Sequence, residues 1–261
     1  MKRVAQLGFL LVQCLLVNAA CGGDQSAPVA ASKGAEAADA NVAAVVVSAS
    51  KDPDWKTYRA FTAGLDIFDE QRRLAPGAAL RFVLLPKAAN ASLKDIKLRI
   101  AGDELSIALP IAPDGTFTVP RSEAATKEDA ELMLNRKPGT FRWRPDIRTP
   151  GVAPNARRLG DLRLECAVRW GIEQYETPYV IRKLFNAAGQ PCLTARIKVD
   201  FIAPRPIAAM YLTTHERRSR LPADLLEEGG KVYVVPVHDK SWPDDALLEF
   251  DFAPTALAAA K

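Results

Sequence analysis

Ile96-Lys97-Leu98-Arg99-Ile100-Ala101-Gly102-Asp103-Glu104-Leu105-Ser106-Ile107-Ala108-Leu109-Pro110 decides the fold class. Its apolar side chains at 96, 98 and 100 alternate with Lys97 and Arg99, and Leu105, Ile107 and Leu109 continue with the same period of two. That period places one face of an extended strand on a core and the other toward solvent. Working outward, Leu80, Phe82 and Leu84 alternate upstream. Downstream come an Asp114-Gly115 turn, Phe117 and Val119, then Leu132 and Leu134. Short strands separated by turn chemistry predict an antiparallel sandwich.

The pattern returns 112 positions on, at residues 208–222, where Leu98 falls on Met210, Ile100 on Leu212 and Leu109-Pro110 on Leu221-Pro222. At a displacement of 116, Val119-Pro120 meets Val235-Pro236 and Asp129-Ala130 meets Asp245-Ala246. Leu132 then meets Leu248, and Leu134 meets Phe250. A four-residue insertion within 225–229 accounts for the change. Upstream, Leu80, Phe82 and Leu84 meet Arg196, Lys198 and Asp200, with the apolar face one residue over at Ile197, Val199 and Phe201. A displacement held over several elements suggests duplication of one unit, with coincidence among generic β patterns as the alternative.

Each unit is expected to begin with a helix. Asp52-Pro53 has the chemistry of a helix start, Trp55, Tyr58, Phe61, Leu65, Phe68 and Arg72 recur at helical spacing, and Ala75-Pro76-Gly77 stops the run. Thr177-Pro178 similarly introduces 179–188, which ends at Gly189. The expected architecture is mainly β (α+β): two antiparallel β-sandwich-like units from an internal duplication, each preceded by a helix. Unit 1 covers 52–135 and unit 2 covers 169–252. Residues 136–168 connect them and 253–261 form a tail.

The 261 residues are 48% hydrophobic and 25% charged, as in an ordinary globular protein. The formal charge of +4 includes Lys2 and Arg3, and without them 33 basic side chains face 31 acidic ones. That balance argues against nucleic acid as a partner. Two histidines and four cysteines exclude a histidine-rich metal centre, and no cofactor motif is present.

Residues 1–21 have the form of an export signal: Lys2 and Arg3, an apolar stretch, then small residues before a cysteine. The stretch is shorter than the roughly 20 apolar residues of a spanning helix. Asn18-Ala19-Ala20-Cys21-Gly22 resembles a bacterial lipobox, which implies lipidation at Cys21, and Gly22 resembles the pattern of outer-membrane sorting. Plain secretion after Ala19 or Ala20 is the alternative. Residues 22–51, rich in Ala, Ser, Val and Gly without an aromatic, read as a disordered tether. The expected location is the periplasmic side of the envelope, with the membrane reached through a lipid on Cys21. Cys14 leaves with the signal, so Cys166 and Cys192 remain, and in an oxidising compartment they most simply pair.

Residues 136–170 hold eight arginines and one lysine against three acids, with Trp143 and four prolines. The runs Phe141-Arg142-Trp143-Arg144-Pro145-Asp146-Ile147-Arg148-Thr149-Pro150-Gly151 and Arg158-Leu159-Gly160-Asp161-Leu162-Arg163-Leu164-Glu165-Cys166 resemble proteobacterial exported proteins of unknown function. That resemblance implies no activity. Asp114-Gly115-Thr116-Phe117-Thr118-Val119-Pro120 resembles the Asp-Gly-x-Phe hairpin of carboxypeptidase-regulatory-like domains, which implies a small β-sandwich without catalytic residues.

Arg142, Trp143, Arg144, Arg148, Arg157 and Arg158 are the candidate binding residues. Guanidinium forks on alternate positions of a strand match carboxylates or phosphates, and Trp143 offers a ring for a sugar. The alternative is that these arginines pair with Asp146, Asp161 and Glu165 and brace the junction of the units. Residues 161–166 alternate as a further strand. His238-Asp239 with Ser241, Asp244 and Asp245 is the one imidazole beside several acids, but no nucleophile elbow or zinc-helix motif accompanies it, and a solvated turn is the simpler reading. His215 is expected at an exposed hairpin tip. The functional expectation is a non-enzymatic envelope lipoprotein that binds an anionic glycan, lipid headgroup or protein partner. The alternative is an exported hydrolase using His238 and nearby acids.

Overall fold

The computed structural model describes residues 52–87 and 91–254, which belong to one compact unit, Val47–Lys261. Residues 1–51, read above as an export signal ending at Cys21 and a tether, and all but the first two residues of the expected tail lie outside the described residues. The chain begins with β1 (Asp54–Thr57), α1 (Tyr58–Glu70), β2 (Leu80–Pro86), β3 (Leu98–Ala101), β4 (Ser106–Leu109) and β5 (Thr116–Phe117). Then come α2 (Glu123–Lys127), β6 (Glu131–Leu134), β7 (Phe141–Ile147), β8 (Ala156–Arg158), α3 (Leu159–Glu173) and α4 (Tyr179–Ala187). The remainder is β9 (Asp200–Ile202), β10 (Ile207–Thr213), β11 (Arg218–Arg220), β12 (Leu226–Glu227), β13 (Val232–Val234) and β14 (Leu247–Phe252).

The strands form four antiparallel sheets: β1-β6-β3-β4, β5-β2-β7, β8-β14-β10-β11 and β12-β13-β9. The fold is mainly β with four α-helices, an α+β arrangement. The two four-stranded sheets have one order, an edge strand that leads into a helix, the last strand of its half, and a hairpin. Their registers also correspond. Leu98 faces Leu109 and Leu134, and Ile100 faces Ile107 and Leu132. Met210 faces Phe250 and accepts the Leu221 N–H, while Leu212 faces Ser219 and Leu248. These are the displacements of 112 and 116 read from the sequence. Phe82 facing Phe117 has its counterpart in Phe201 facing Tyr233.

The Asp-Ala landmarks have a visible purpose. The Ala130 carbonyl accepts the N–H of Tyr58, the first residue of α1, at 2.9 Å, and the Ala246 carbonyl accepts that of Leu159, the first residue of α3, at 2.8 Å. A helix start leaves N–H groups without intrahelical partners, and each half satisfies one of them on the same carbonyl.

Two apolar clusters make the core. One gathers Phe61, Phe82, Ile100, Phe117 and Leu132, and the other Leu162, Met210, Leu212, Tyr233 and Phe250. Helix α3 serves both, giving Leu164, Val168 and Ile172 to the first and Leu159, Leu162 and Cys166 to the second. Gly64 and Gly171 let α1 approach it closely: a Cβ on Gly64 would stand 2.8 Å from an Ile172 carbon, and one on Gly171 would stand 2.2 Å from an Ile67 carbon.

Three expectations are corrected. The helix expected to open at Asp52-Pro53 begins at Tyr58, because residues 54–57 pair with β6 as an edge strand. Residues 161–166 are helical, not extended. Their alternation arises because α3 is buried on nearly every side, so Asp161, Arg163 and Glu165 are inside along with the apolar residues between them. Helix α3 follows β8, an edge strand of the second four-stranded sheet, as α1 follows β1 in the first, whereas α4, which exists where expected, follows α3. Residues 136–168 hold β7, β8 and most of α3, and Cys166 is bonded to Cys192.

Candidate functional site

Strand β7 pairs with β2 along its whole length, from Leu80 against Ile147 to Pro86 against Phe141. The two-residue period divides this ribbon. Phe82, Leu84, Phe141 and Ile147 enter the first core. On the opposite face Arg81 stands beside Asp146, and Val83 beside Arg144. This second face forms one wall of a cavity of about 360 Å³. Across it lie Asp200, Phe201 and Ile202 of β9, then Ala203 and Pro204, with Tyr233 of β13. Arg157 of β8 and Glu165 and Arg169 of α3 complete the lining, and Arg148 and Asp114 also border it. Strand β2 is central in its three-stranded sheet and β9 is an edge strand of the other, so the cleft lies between the two three-stranded sheets.

Five guanidinium groups line the cavity with four carboxylates. Asp146 accepts from Arg81 at 2.6 Å and from Arg148 at 2.8 Å. Glu165 accepts from Arg157 at 2.6 Å and from the Ile147 N–H at 2.7 Å. Arg169 donates to Asp200 at 3.1 Å and to Glu173 at 2.9 Å, and Arg144 reaches the same Glu173 oxygen at 3.2 Å. Asp114 is occupied by the Thr116 N–H and hydroxyl. The Nε atoms of Arg144 and Arg157 are buried without a hydrogen-bond partner.

The electrostatics follow. Burial, reinforced by the like charge of Arg169, holds the Arg144 guanidinium below its ordinary pKa. Burial pushes the Glu165 carboxyl up, against the attraction of Arg157. Burial also pushes the Tyr233 phenol up to about 12, although Arg157 opposes it. Burial would raise Asp200 too, but there the charge and hydrogen bond of Arg169 win and hold it below the usual carboxylate range. Every arginine of the cavity has a carboxylate partner, but Arg81 and Arg148 share Asp146 and are part exposed, so they keep donors for a further anion.

Of the six residues singled out from sequence, Arg144, Arg148 and Arg157 come together in this cleft. Arg142 and Trp143 border a neighbouring cavity of about 350 Å³ with Arg144, Lys56 and Lys87. Trp143 is turned inward rather than presented to a sugar. Its ring meets Phe61 and Phe117 edge-on at 6.0 and 5.9 Å, and its Nε1 donates to Asp54. Arg158 leaves the cleft and donates to the Leu74 carbonyl at 2.5 Å. The expected acid partners are partly as read: Asp146 and Glu165 do hold arginines, whereas Asp161 accepts from the Thr149 N–H and hydroxyl. Sequence reasoning missed Arg81 and Arg169. Arg81 was visible as the polar partner of an alternating strand, but only its pairing with β7 gives it a role.

Of the acids around His238, Asp244 serves another arginine. Arg163, buried in α3, donates to the carbonyls of Val237, Asp239 and Trp242 and is paired with Asp244. The Asp239 carboxylate accepts the Ser241 N–H at 2.9 Å, which holds its pKa below the ordinary range. Among the described residues, no group of three His, Cys, Asp or Glu side chains is placed to hold a metal ion. His215 is exposed at the tip between β10 and β11. No family model, curated protein or solved structure matches the chain.

Proposed function

We propose that the arginine-lined cleft binds a small anionic ligand carrying an apolar portion, and that the protein is a non-enzymatic binding module of the cell envelope. The observation that carries this is that Arg81 and Arg148 share one carboxylate, Asp146, and remain 42% and 49% exposed at the edge of a cavity lined by five arginines. Guanidinium donors left over by that shared partner can take a carboxylate or phosphate oxygen in charge-assisted bonds. The apolar portion is suggested by Val83, Leu85, Phe201 and Ile202 in the walls. A volume of about 360 Å³ falls in the small-ligand range of about 300–1,000 Å³. The envelope setting is supported by the Cys166–Cys192 bond, of a kind that oxidising compartments sustain, and by the leader and Cys21 motif of the sequence. Anchoring through a lipidated Cys21 belongs to this proposal.

Phenyl phosphate and octanoate, titrated calorimetrically into the full chain, test the reading. At least one should bind saturably and less tightly as salt rises, and Arg144→Gln should weaken it on the order of tenfold. Heat signals indistinguishable from dilution for both anions, with no rise in melting temperature, would overturn it. The corresponding order and register of the two halves also support, as a proposal, their descent from one duplicated unit.

A further inference from the structure

We propose that α4 and the loop behind it form a second functional surface, a contact element that lies on an anionic lipid bilayer. No residue of α4 is buried. Tyr179, Val180 and Leu184 are 63%, 67% and 61% exposed, and Leu193 beyond the helix is 63% exposed. Seven large apolar side chains are exposed among the described residues, and all but Trp55 lie within 175–193. Scattered exposed leucines need no explanation, but this concentration does. Val180 and Leu184 are one turn apart and Ile181 adjoins them, so they make one face.

The helix is moored in a way that keeps this face outward. Phe185, one turn beyond Ile181 at the inner margin of that face, meets Trp170 of α3 edge-on at 5.2 Å, and the Cys166–Cys192 bond ties the chain beyond the helix to α3. Amphipathic helices that lie in a bilayer interface have such an apolar face with lysine and arginine at its margin. Arg182 and Lys183 stand 5.8 and 5.5 Å from the Tyr179 ring, an aromatic of the type that settles at headgroup level.

Charge selects the occupant. Residues 175–199 contain Arg182, Lys183, Arg196 and Lys198 and one acid, Glu176, which is already paired with Lys56. A second copy docking through the same face would bring Arg182 and Lys183 against their own counterparts, because a twofold contact is self-complementary. An anionic bilayer meets the apolar face and the cations together. The inference depends neither on Cys21 nor on the ligand of the arginine cleft.

Hydrogen exchange of the full chain, read on peptides covering 177–193, tests it in the presence of phosphatidylcholine vesicles with and without phosphatidylglycerol. Protection of this segment is expected only with the anionic vesicles, whatever residues 1–51 contribute elsewhere. Lys183→Glu should weaken the vesicle affinity responsible for that protection roughly fivefold or more. The double variant Val180→Ser/Leu184→Ser should weaken it on the order of tenfold or more. Lys183→Glu leaves the apolar face intact and reads the charge dependence even if the double variant disturbs the helix. Three results would overturn the proposal: exchange unchanged by anionic vesicles, protection already present without lipid, or protection that grows with protein concentration alone. The second would mean that the chain covers its own helix, and the third that a second copy does.

Discussion

Helices α1 and α3 leave equivalent edge strands, start on equivalent alanine carbonyls, and yet bury very different chemistry. Ala60, Thr62 and Gly64 of α1 stand where α3 has Asp161, Arg163 and Glu165. Helix α1 presents one stripe to one core, whereas α3 is enclosed between two. Enclosure removes the solvent that an ordinary amphipathic helix offers its polar side. A polar residue there must find protein partners, since an unpaired one costs several kcal/mol. Asp161 finds Thr149, Glu165 finds Arg157 and the Ile147 N–H, and Arg163 finds three carbonyls and Asp244. A shared backbone frame therefore does not dictate shared side-chain chemistry. Burial decides that.

The largest effect should come from testing this difference at one equivalent pair. Arg163→Ala leaves the Val237, Asp239 and Trp242 carbonyls without a donor and Asp244 without its cation, and should cost about 3–5 kcal/mol. Thr62→Ala removes only a local bond to the Arg59 carbonyl and should stay within about 0.5 kcal/mol. Urea denaturation of both variants reads the contrast directly. Equal costs would mean that the enclosure of α3 is not what sets its chemistry.

The disulfide sharpens the comparison next. Cys166 belongs to α3 and its equivalent in α1 is Leu65, so the covalent tie exists in one half alone. Its 26-residue separation corresponds to about 3 kcal/mol on the chain-entropy model. Replacing Cys192 with Ser in a Cys166→Ala background should lower global stability by about 2–4 kcal/mol. Hydrogen exchange should rise first in α4 and the following loop and leave β3, β4 and β6 protected. Labelling of the unfolded wild-type chain without reductant should find neither thiol reactive. Uniform loosening of both halves would break the assignment.

The hairpin periods, the 112 and 116 displacements and the cysteine pair were legible in the sequence because they rest on local alternation and on landmarks that face the core in both halves. What was not legible came from long-range burial. Residues 161–166 alternate like a strand because charged side chains are enclosed, and no local pattern announces that a helix will lie between two cores. Residues 54–57 look like a helix start because the pairing that makes them a strand comes from β6, more than 70 residues away. Half of the arginine site was readable from composition. Arg81 and Arg169 join it only through the pairing of β2 with β7 and the turn of α3 toward β9.

Acid should separate the two sides of the cleft. Arg81 of β2 and Asp200 of β9 line the cleft from its two sides, and Asp200 is tied to Arg169. Its carboxyl is held below its ordinary value of 3.8, so the stabilisation is complete above that value and is lost as pH falls through the lowered folded pKa. The expected loss is under about 1 kcal/mol, because Asp200 is part exposed and the pair is screened. It should show as earlier exchange in β9 than in β2 below about pH 4. Asp200→Asn should remove that step, and a step that persists in the variant would assign the acid response elsewhere.

The smallest effect concerns His238, whose equivalent in the first half, 116 residues earlier, is Ser122. The two positions follow matching Val-Pro pairs but do different things. Ser122 caps α2, with its hydroxyl accepting the Ala125 N–H at 3.2 Å, so Ser122→Ala should cost about 0.5–2 kcal/mol. The second half has no helix at this point. Its turn is closed instead by the Asp239 carboxylate on the Ser241 N–H and by Arg163 on the Asp239 carbonyl, neither of which involves the imidazole. His238→Ala should therefore stay within about 0.5 kcal/mol and leave anion binding in the cleft unchanged. The same protein offered esters, phosphoesters and glycosides decides what the imidazole is for. A hydrolytic rate that His238→Ala abolishes while the fold survives would make this turn a catalytic site and end its equivalence to the Ser122 cap.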